Sequence, residues 1–533
     1  MNIKDYARIA TRILNLIFWM IVGYLAGDLG FGFYFVSFAI FYILVTLLSG
    51  AIKPTVAKMV SVRKSKGLYH NCKLVFRYGL LYSVVVGGLV CLLLWTLSGP
   101  ILKAFIGYRL PESVLAVFGI YFLVYSLKGC IMGYFQGKGD TYVCIVAELL
   151  GCIVLIALSP FVITRMYMYG IKVAALLKEP MYSNINGVIG AILVQCVAGL
   201  VSIIAVLIGD RIAGTVNRNM YDSVMGSDNA RKIYISFGKL FGLYIVEKLF
   251  PVLCIVGTTL IYVRNAYNLG ADMKETFINA GVFGGKFLIV LGFFMTGFLE
   301  YSDREHKAIR NDIQRDEQRN VYTRIIYLLK NSLYILTPLS VMVILLAKPI
   351  VSIFFDGRMS LGADMLRLGG ILILLMGMTH ICKGILNAHK LSLYSLVGSV
   401  LCLAVTYAFA FSAKGGDASS SVLITSLIIG YLVEVAGLLI AVYMVSRPDL
   451  IDLGYKSVKI LIGTAIFAIV LVAMDNFLVM NPIFLIITIA LSYALYFLTI
   501  AILKGIGKRD INSLKGTLIY YPSYFIGSFF VDR

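Results

Sequence analysis

The chain has 533 residues, of which 60% are hydrophobic and 14% charged, and its formal net charge is +20. Soluble domains are nearer 45–50% apolar and about 25% charged, so the composition excludes an ordinary soluble protein and points to an all-α polytopic membrane protein. The positive charge collects in short loops between apolar stretches, the pattern of cytoplasmic loops; we therefore expect no nucleic-acid partner, and membrane lipids with anionic headgroups as natural neighbours of those loops.

Taken in chain order, apolar stretches long enough to span a bilayer fall at 7–27, 31–51, 74–97, 112–134, 142–163, 186–208, 240–263, 275–297, 325–347, 365–387, 392–412, 421–445, 457–474 and 481–503, about 14 transmembrane helices. The first follows Arg8 and Arg12, is long and lacks a small-residue cleavage site, so we expect a retained signal anchor. Lys53, Lys58, Arg63, Lys64, Lys66 and Lys73 follow the second span. Arg211, Arg218, Arg231, Lys232 and Lys239 follow the sixth, and Arg304, Lys307, Arg310, Arg315, Arg319 and Arg324 the eighth. The opposite connections are poorer, with Lys103 and Arg109 after the third span and Lys414 after the eleventh. This asymmetry places both termini in the cytoplasm of a cell (plasma) membrane protein. The largest outer loop, 164–185, carries no histidine, and the tail ends in an aromatic run from Tyr520 to Phe530 that suits the headgroup level.

The chain divides into two related halves and an extra pair of spans. Each half has a charged, helix-prone segment after its second span, 53–73 and 300–324. Each then has a basic turn, Lys128 to Lys138 in the first half and Lys383 to Lys390 in the second. An offset of 251 residues pairs Gly133 with Gly384, Gln136 with Asn387, Thr141 with Ser392 and Val154 with Val405. Six spans per half give a parallel repeat, whose lobes can rock about a central site. The expected organisation is an N-terminal six-helix lobe at 1–208, a cytoplasmic linker at 209–239, a C-terminal six-helix lobe at 240–445, an additional helix pair at 446–503 and a cytoplasmic interfacial tail at 504–533.

Ionisable residues inside the spans carry the functional reading. Lys286 lies near the middle of 275–297 with no charged neighbour close in sequence, and a lysine at a bilayer centre costs about 2.5–3.5 kcal/mol on insertion scales. It therefore faces a partner, a ligand or a watery cavity, and a structural pair with Glu247 is an alternative. Lys128 sits about ten residues before the turn at Lys138, deeper than an edge charge. Glu247 and Lys248 are adjacent, so they point about 100° apart on a helix. Pro251 removes a backbone donor one turn later and marks a kink and a gating point. Glu247 is the candidate carboxylate for a proton or sodium ion. Glu148 and Glu434, each alone on its span, are expected to be packing groups, as is His380, which lies three residues from Lys383. The nine cysteines are scattered singly, with no metal-ligand spacing, and read as small apolar packers.

Four stretches carry a resemblance. Gly27-Asp28-Leu29-Gly30-Phe31-Gly32-Phe33-Tyr34, then Lys53-Pro54-Thr55-Val56-Ala57-Lys58-Met59-Val60, then Lys66-Gly67-Leu68-Tyr69 running into Phe76-Arg77, then Gly133-Tyr134-Phe135-Gln136-Gly137 resemble the multidrug/oligosaccharidyl-lipid/polysaccharide (MOP) exporter superfamily. Within it they resemble the polysaccharide transporter branch of stage V sporulation protein B-like and lipid II flippases. The likeness is densest over the first 155 residues. Relatives carry an arginine within the first span, where this chain reads Leu16-Ile17-Phe18-Trp19-Met20.

The resemblance implies a flippase that carries a lipid-linked oligosaccharide or peptidoglycan precursor from the inner to the outer leaflet by alternating access. A cationic cavity would hold the pyrophosphate, lined in the superfamily by the first, second, seventh and eighth spans. The matching cations are Arg12, Lys53, Lys248 and Lys286, to which the depth of Lys128 adds a fifth; the residues alone leave two alternatives open, Arg12 as a topogenic charge at the cytoplasmic edge and Lys53, near the inner end of its span, as a side chain that snorkels to the interface. The implied partners are the lipid-linked saccharide, membrane lipids and glycan-assembly enzymes. No cofactor or metal is expected, with coupling to H+, Na+ or the membrane potential left open. The alternative is a cation-coupled multidrug exporter, which favours acidic cavity residues. A membrane enzyme would need a large outer loop or a buried His/Asp constellation. With four histidines in the chain, no catalysis is assigned.

Overall fold

The computed structural model describes residues 3–109, 111–213, 230–412, 420–447, 450–475 and 482–505, with Ile511, Leu514, Tyr520, Ser523 and Tyr524 of the tail. Every regular element among them is helical. The first part comprises α1 (Ile3–Leu48), α2 (Ile52–Ser65), α3 (Tyr69–Ile106), α4 (Glu112–Lys138), α5 (Thr141–Leu177) and α6 (Met181–Ala213). Then come α7 (Ala230–Val252), α8 (Thr258–Asn268), α9 (Met273–Val282), α10 (Leu288–Gln314), α11 (Gln318–Leu345), α12 (Ala347–Phe354), α13 (Met359–Gly369) and α14 (Leu372–Ala388). The chain continues through α15 (Ser392–Ser412), α16 (Ser421–Ser446), α17 (Leu450–Asp475) and α18 (Pro482–Ile502). Two π-helical segments, Leu253–Gly257 and Phe283–Phe287, lie between α7 and α8 and between α9 and α10.

Among the described residues, twelve helical stretches are long and apolar enough to cross a membrane, thirteen if α13 and α14, bent by 47°, form one span. One of the twelve, Asp5–Ser65, is 61 residues long, about three times a bilayer crossing. It breaks at Gly27, where φ is 70° and ψ 172°, a backbone state open to glycine but not to ordinary L-residues. Trp19 meets Phe38 across the break at 5.2 Å between ring centroids; on a straight helix 19 residues apart they would be about 28 Å distant. The chain therefore doubles back at Gly27, and α1 holds two crossings, which brings the count among the described residues to thirteen, or to the expected fourteen if α13 and α14 form one span. At the break, the carbonyl of Ala26 accepts from Asn184 Nδ2 at 2.7 Å.

The packing is that of a membrane protein. On α3 the exposed side chains include Leu81, Val85, Leu89, Leu92 and Trp95, a large apolar stripe that a soluble protein would hide. The buried face carries Gly79, Ser83 and Gly87, four residues apart, the small-residue spacing that lets membrane helices approach closely. Gly87 lies against Leu123 of α4, and Gly79 against Cys130.

Three expectations are corrected. The outer loop at 164–185 is mostly helix, because nothing before the left-handed Lys178 (φ 57°) and Pro180 stops α5. The charged segment 300–324 is not one helix: it turns at Asp316 (φ 59°) between α10 and α11. The ends of the 209–239 linker are helical, continuing α6 and starting α7, while its centre, 214–229, lies outside the described residues, as does most of the tail.

Contacts gather the described residues into two compact units, one within 6–285 and one of the described residues from Lys286 onward. The added pair belongs to the second. There α17 packs on α11 through Thr464 and Thr337, whose hydroxyls are 3.2 Å apart, and α18 docks by the Tyr496 hydroxyl donating to the Tyr334 carbonyl at 2.8 Å.

Candidate functional site

A glycine stripe on α4 builds the site in the first unit. A methyl group at Gly133 would sit 2.6 Å from the Lys53 carbonyl oxygen, and one at Gly137 would sit 2.6 Å from that of Ala57. Only glycine admits the α2 backbone this close. The Gly133-to-Gly137 motif thus seats α2 on α4 and fixes Lys53 beside the face of α4 that bears Lys128.

These helices, with α1, α5 and α6, enclose a cavity of about 300 Å³. Its polar lining includes Asn15, Lys53, Tyr125, Lys128, Glu148 and Gln195. Lys53 Nζ donates to Glu148 Oε1 at 2.5 Å, a half-buried ion pair. Lys128 stands beside this pair, and among the described residues nothing accepts a hydrogen bond from it or pairs with it within 4 Å. The cavity therefore holds two ammonium groups against one carboxylate, and that carboxylate is already engaged. Asn15 Nδ2 donates to Cys152 Sγ at 3.5 Å, and Gln195 Nε2 to the Tyr34 hydroxyl at 2.8 Å. The Gln195 Oε1 finds no donor among the described residues. The whole suits an anionic or strongly polar guest of phosphate or pyrophosphate size.

Of the residues singled out from sequence, Lys53 and Lys128 lie in this cavity. Arg12 neighbours Thr11 on α1 but is not in the lining. Lys248 is at the rim: its Nζ donates at 3.4 Å to the carbonyl of Gly50, a lining residue. Glu247 and Lys248 are both exposed on α7. The helix runs through Pro251 and widens into the π segment Leu253–Gly257, so the irregularity expected near the proline lies just after it. Lys286 belongs to the second unit and is 3% exposed. It lies within the other π segment, a geometry common at functional positions. A methyl group at Gly362 would be 3.2 Å from its Cδ.

Glu148 is not the bland packing group expected from its isolation, because it pairs with Lys53 and faces the cavity. Glu434 is likewise paired, with Lys383 Nζ at 2.6 Å. His380 hydrogen-bonds Asp303 Oδ1 at 3.1 Å rather than packing among apolar side chains. The lining residues Asn15, Tyr125 and Gln195 carry no signal in sequence beyond being polar on apolar helices.

The chain matches no protein-family model and no curated protein. Its fold matches solved transporters. With the lipid II flippase MurJ in an inward closed conformation the TM-score is 0.63 at 15% identity, over 96% of this chain and 99% of that one. With an inward-facing multidrug resistance MATE family transporter of the MOP superfamily it is 0.61 at 14% identity, over 84% and 96%. With a MOP superfamily transporter from Pyrococcus furiosus, whose binding pocket is described as having reverse polarity, it is 0.57 at 14%, over 82% and 94%.

Proposed function

We propose that this chain, which has the fold shared by MOP superfamily transporters, is a membrane flippase or exporter for a lipid-linked oligosaccharide or a related precursor with an anionic headgroup. The observation that carries the reading is Lys128: an ammonium group inside a cavity whose one carboxylate already pairs with Lys53. A charge held within hydrocarbon needs a counter-charge or water, and a passing phosphate supplies the former. Lysine serves phosphate as a compact point charge on a flexible stem. Lys248 at the rim adds a cation at the approach. Lys286, in the second unit, would meet the headgroup at another stage of alternating access, and the π segments at Leu253–Gly257 and Phe283–Phe287 are the places where the seventh and eighth spans would flex. Plasma-membrane residence, cytoplasmic termini and contact with glycan-assembly enzymes belong to the same proposal.

A second reading, a cation-coupled multidrug exporter, is favoured by Glu148, a carboxylate in the cavity that could take up a proton or sodium ion. Reconstitution into vesicles separates the two. We expect fluorescent lipid-linked sugars to move between leaflets and cationic drugs to stay. No transfer of any lipid-linked sugar, together with drug efflux driven by a proton or sodium gradient, would replace the first reading with the second.

A further inference from the structure

In the second unit, Asp303 and His306 on α10 face His380 on α14. One ligand-capable atom from each lies within 4.8 Å of the others. His380 Nε2 and Asp303 Oδ1 are 3.1 Å apart, and the two imidazole rings stand 5.5 Å apart between centroids. Asp303 and His306 are three residues apart and share a helix face. His380 reaches them because Gly384 lets α14 come close: the His306 ring occupies the space that a side chain at Gly384 would fill. His306 is held from behind by a 3.3 Å contact of its Nε2 with Ser302 Oγ and by a hydrogen bond with the backbone of Ile381.

From this geometry we infer that Asp303, His306 and His380 form a binding site for a divalent transition metal of the zinc class. Two imidazoles and a carboxylate favour zinc, cobalt or nickel over calcium or magnesium, which prefer all-oxygen ligands. Ligands at about 2.0–2.1 Å around a tetrahedral zinc lie about 3.4 Å from one another. One pair is already near that spacing, and small rotations of His306 and His380 bring in the third ligand at the expense of the Ser302 contact. Three protein ligands leave a fourth position to water, and the backbone hydrogen bond on His306 is the kind of outer partner that orients a ligating imidazole. A metal here would tie α10 to α14. The inference stands apart from the substrate reading, because it concerns metal binding in a different unit.

The test uses the full-length chain without a polyhistidine tag, purified in detergent, stripped with chelator and titrated with Co2+ and Zn2+. We expect one metal per chain after dialysis and, for Co2+, visible d–d bands without the near-ultraviolet band of a cobalt–thiolate bond. His380→Gln and Asp303→Asn should each weaken binding at least tenfold. Retained thermal stability in chelator would show that these variants fold. If a variant does not fold, the Co2+ spectrum of the unaltered chain decides alone, since a thiolate band would assign the metal to cysteine. The inference is overturned if the unaltered chain binds no metal at micromolar concentration, or if stoichiometric binding survives in folded His380→Gln and Asp303→Asn.

Discussion

The residue scale turns on the contrast between Lys128 and Glu148. Removing a charged hydrogen-bond partner costs about 1.5–3 kcal/mol, so Lys128→Gln should lower headgroup affinity by about 10- to 150-fold with the chain still inserted. Titration of the reconstituted protein with a fluorescent lipid-linked sugar measures it, and unchanged affinity would remove Lys128 from the site. Glu148→Gln frees Lys53 from its 2.5 Å pair, leaving two ammonium groups unopposed in the cavity. An anionic substrate should then bind more tightly, whereas a gradient-driven drug exporter should lose its coupling; the two readings predict opposite outcomes in one variant. Lys286→Ala should abolish transfer while the protein still folds and inserts, and normal transfer would take Lys286 out of the mechanism. Lys128 stood out in the sequence because a charge in an apolar run has few innocent explanations, whereas Lys53, at the inner end of its span, came only from the resemblance. Glu148 was equally visible as a charge, but its partner is 95 residues away, and helical periodicity does not say which face meets which neighbour.

At the scale of elements, close helix crossings matter more than helix formation. Gly133→Val places a side chain against the Lys53 carbonyl, 2.6 Å from the glycine's would-be methyl position; overpacking of this kind costs about 1–3 kcal/mol. Its Tm should fall, and transport should fall with it, since the same contact positions Lys53. Gly238→Ala is the control: nothing lies within 4 Å of that position on α7, and alanine is the better helix former, so its Tm should hold or rise. Gly384, which the 251-residue offset pairs with Gly133, also receives the helix packed on it, there through His306. The continuation of α5 to Leu177, the turn at Asp316 and the two π segments were not readable from sequence, because hydropathy marks where a span can lie and not where the helix around it ends or widens.

For the whole molecule, the candidate spans were read from hydropathy, and the sidedness proposed for the loops rests on Lys and Arg counts. Hydropathy alone also separated 7–27 from 31–51, although the helix there is continuous except at one residue. The lysine and arginine asymmetry predicts that single cysteines placed after residue 2 and before residue 533, in a chain whose nine native cysteines have been replaced, react with a membrane-impermeant maleimide only once the cells are opened. Labelling of intact cells would reverse the topology. The reversal at Gly27 bears on biogenesis. With no loop between its two arms, and with Trp19 stacked edge-on to Phe38, neither arm can settle in the bilayer alone. They must leave the translocon together as one hairpin, and the clasp from Asn184 to the Ala26 carbonyl can close only after 158 further residues have been synthesised. Until then the tip of the hairpin lacks that clasp, and a ribosome stalled before Asn184 should leave it open to protease.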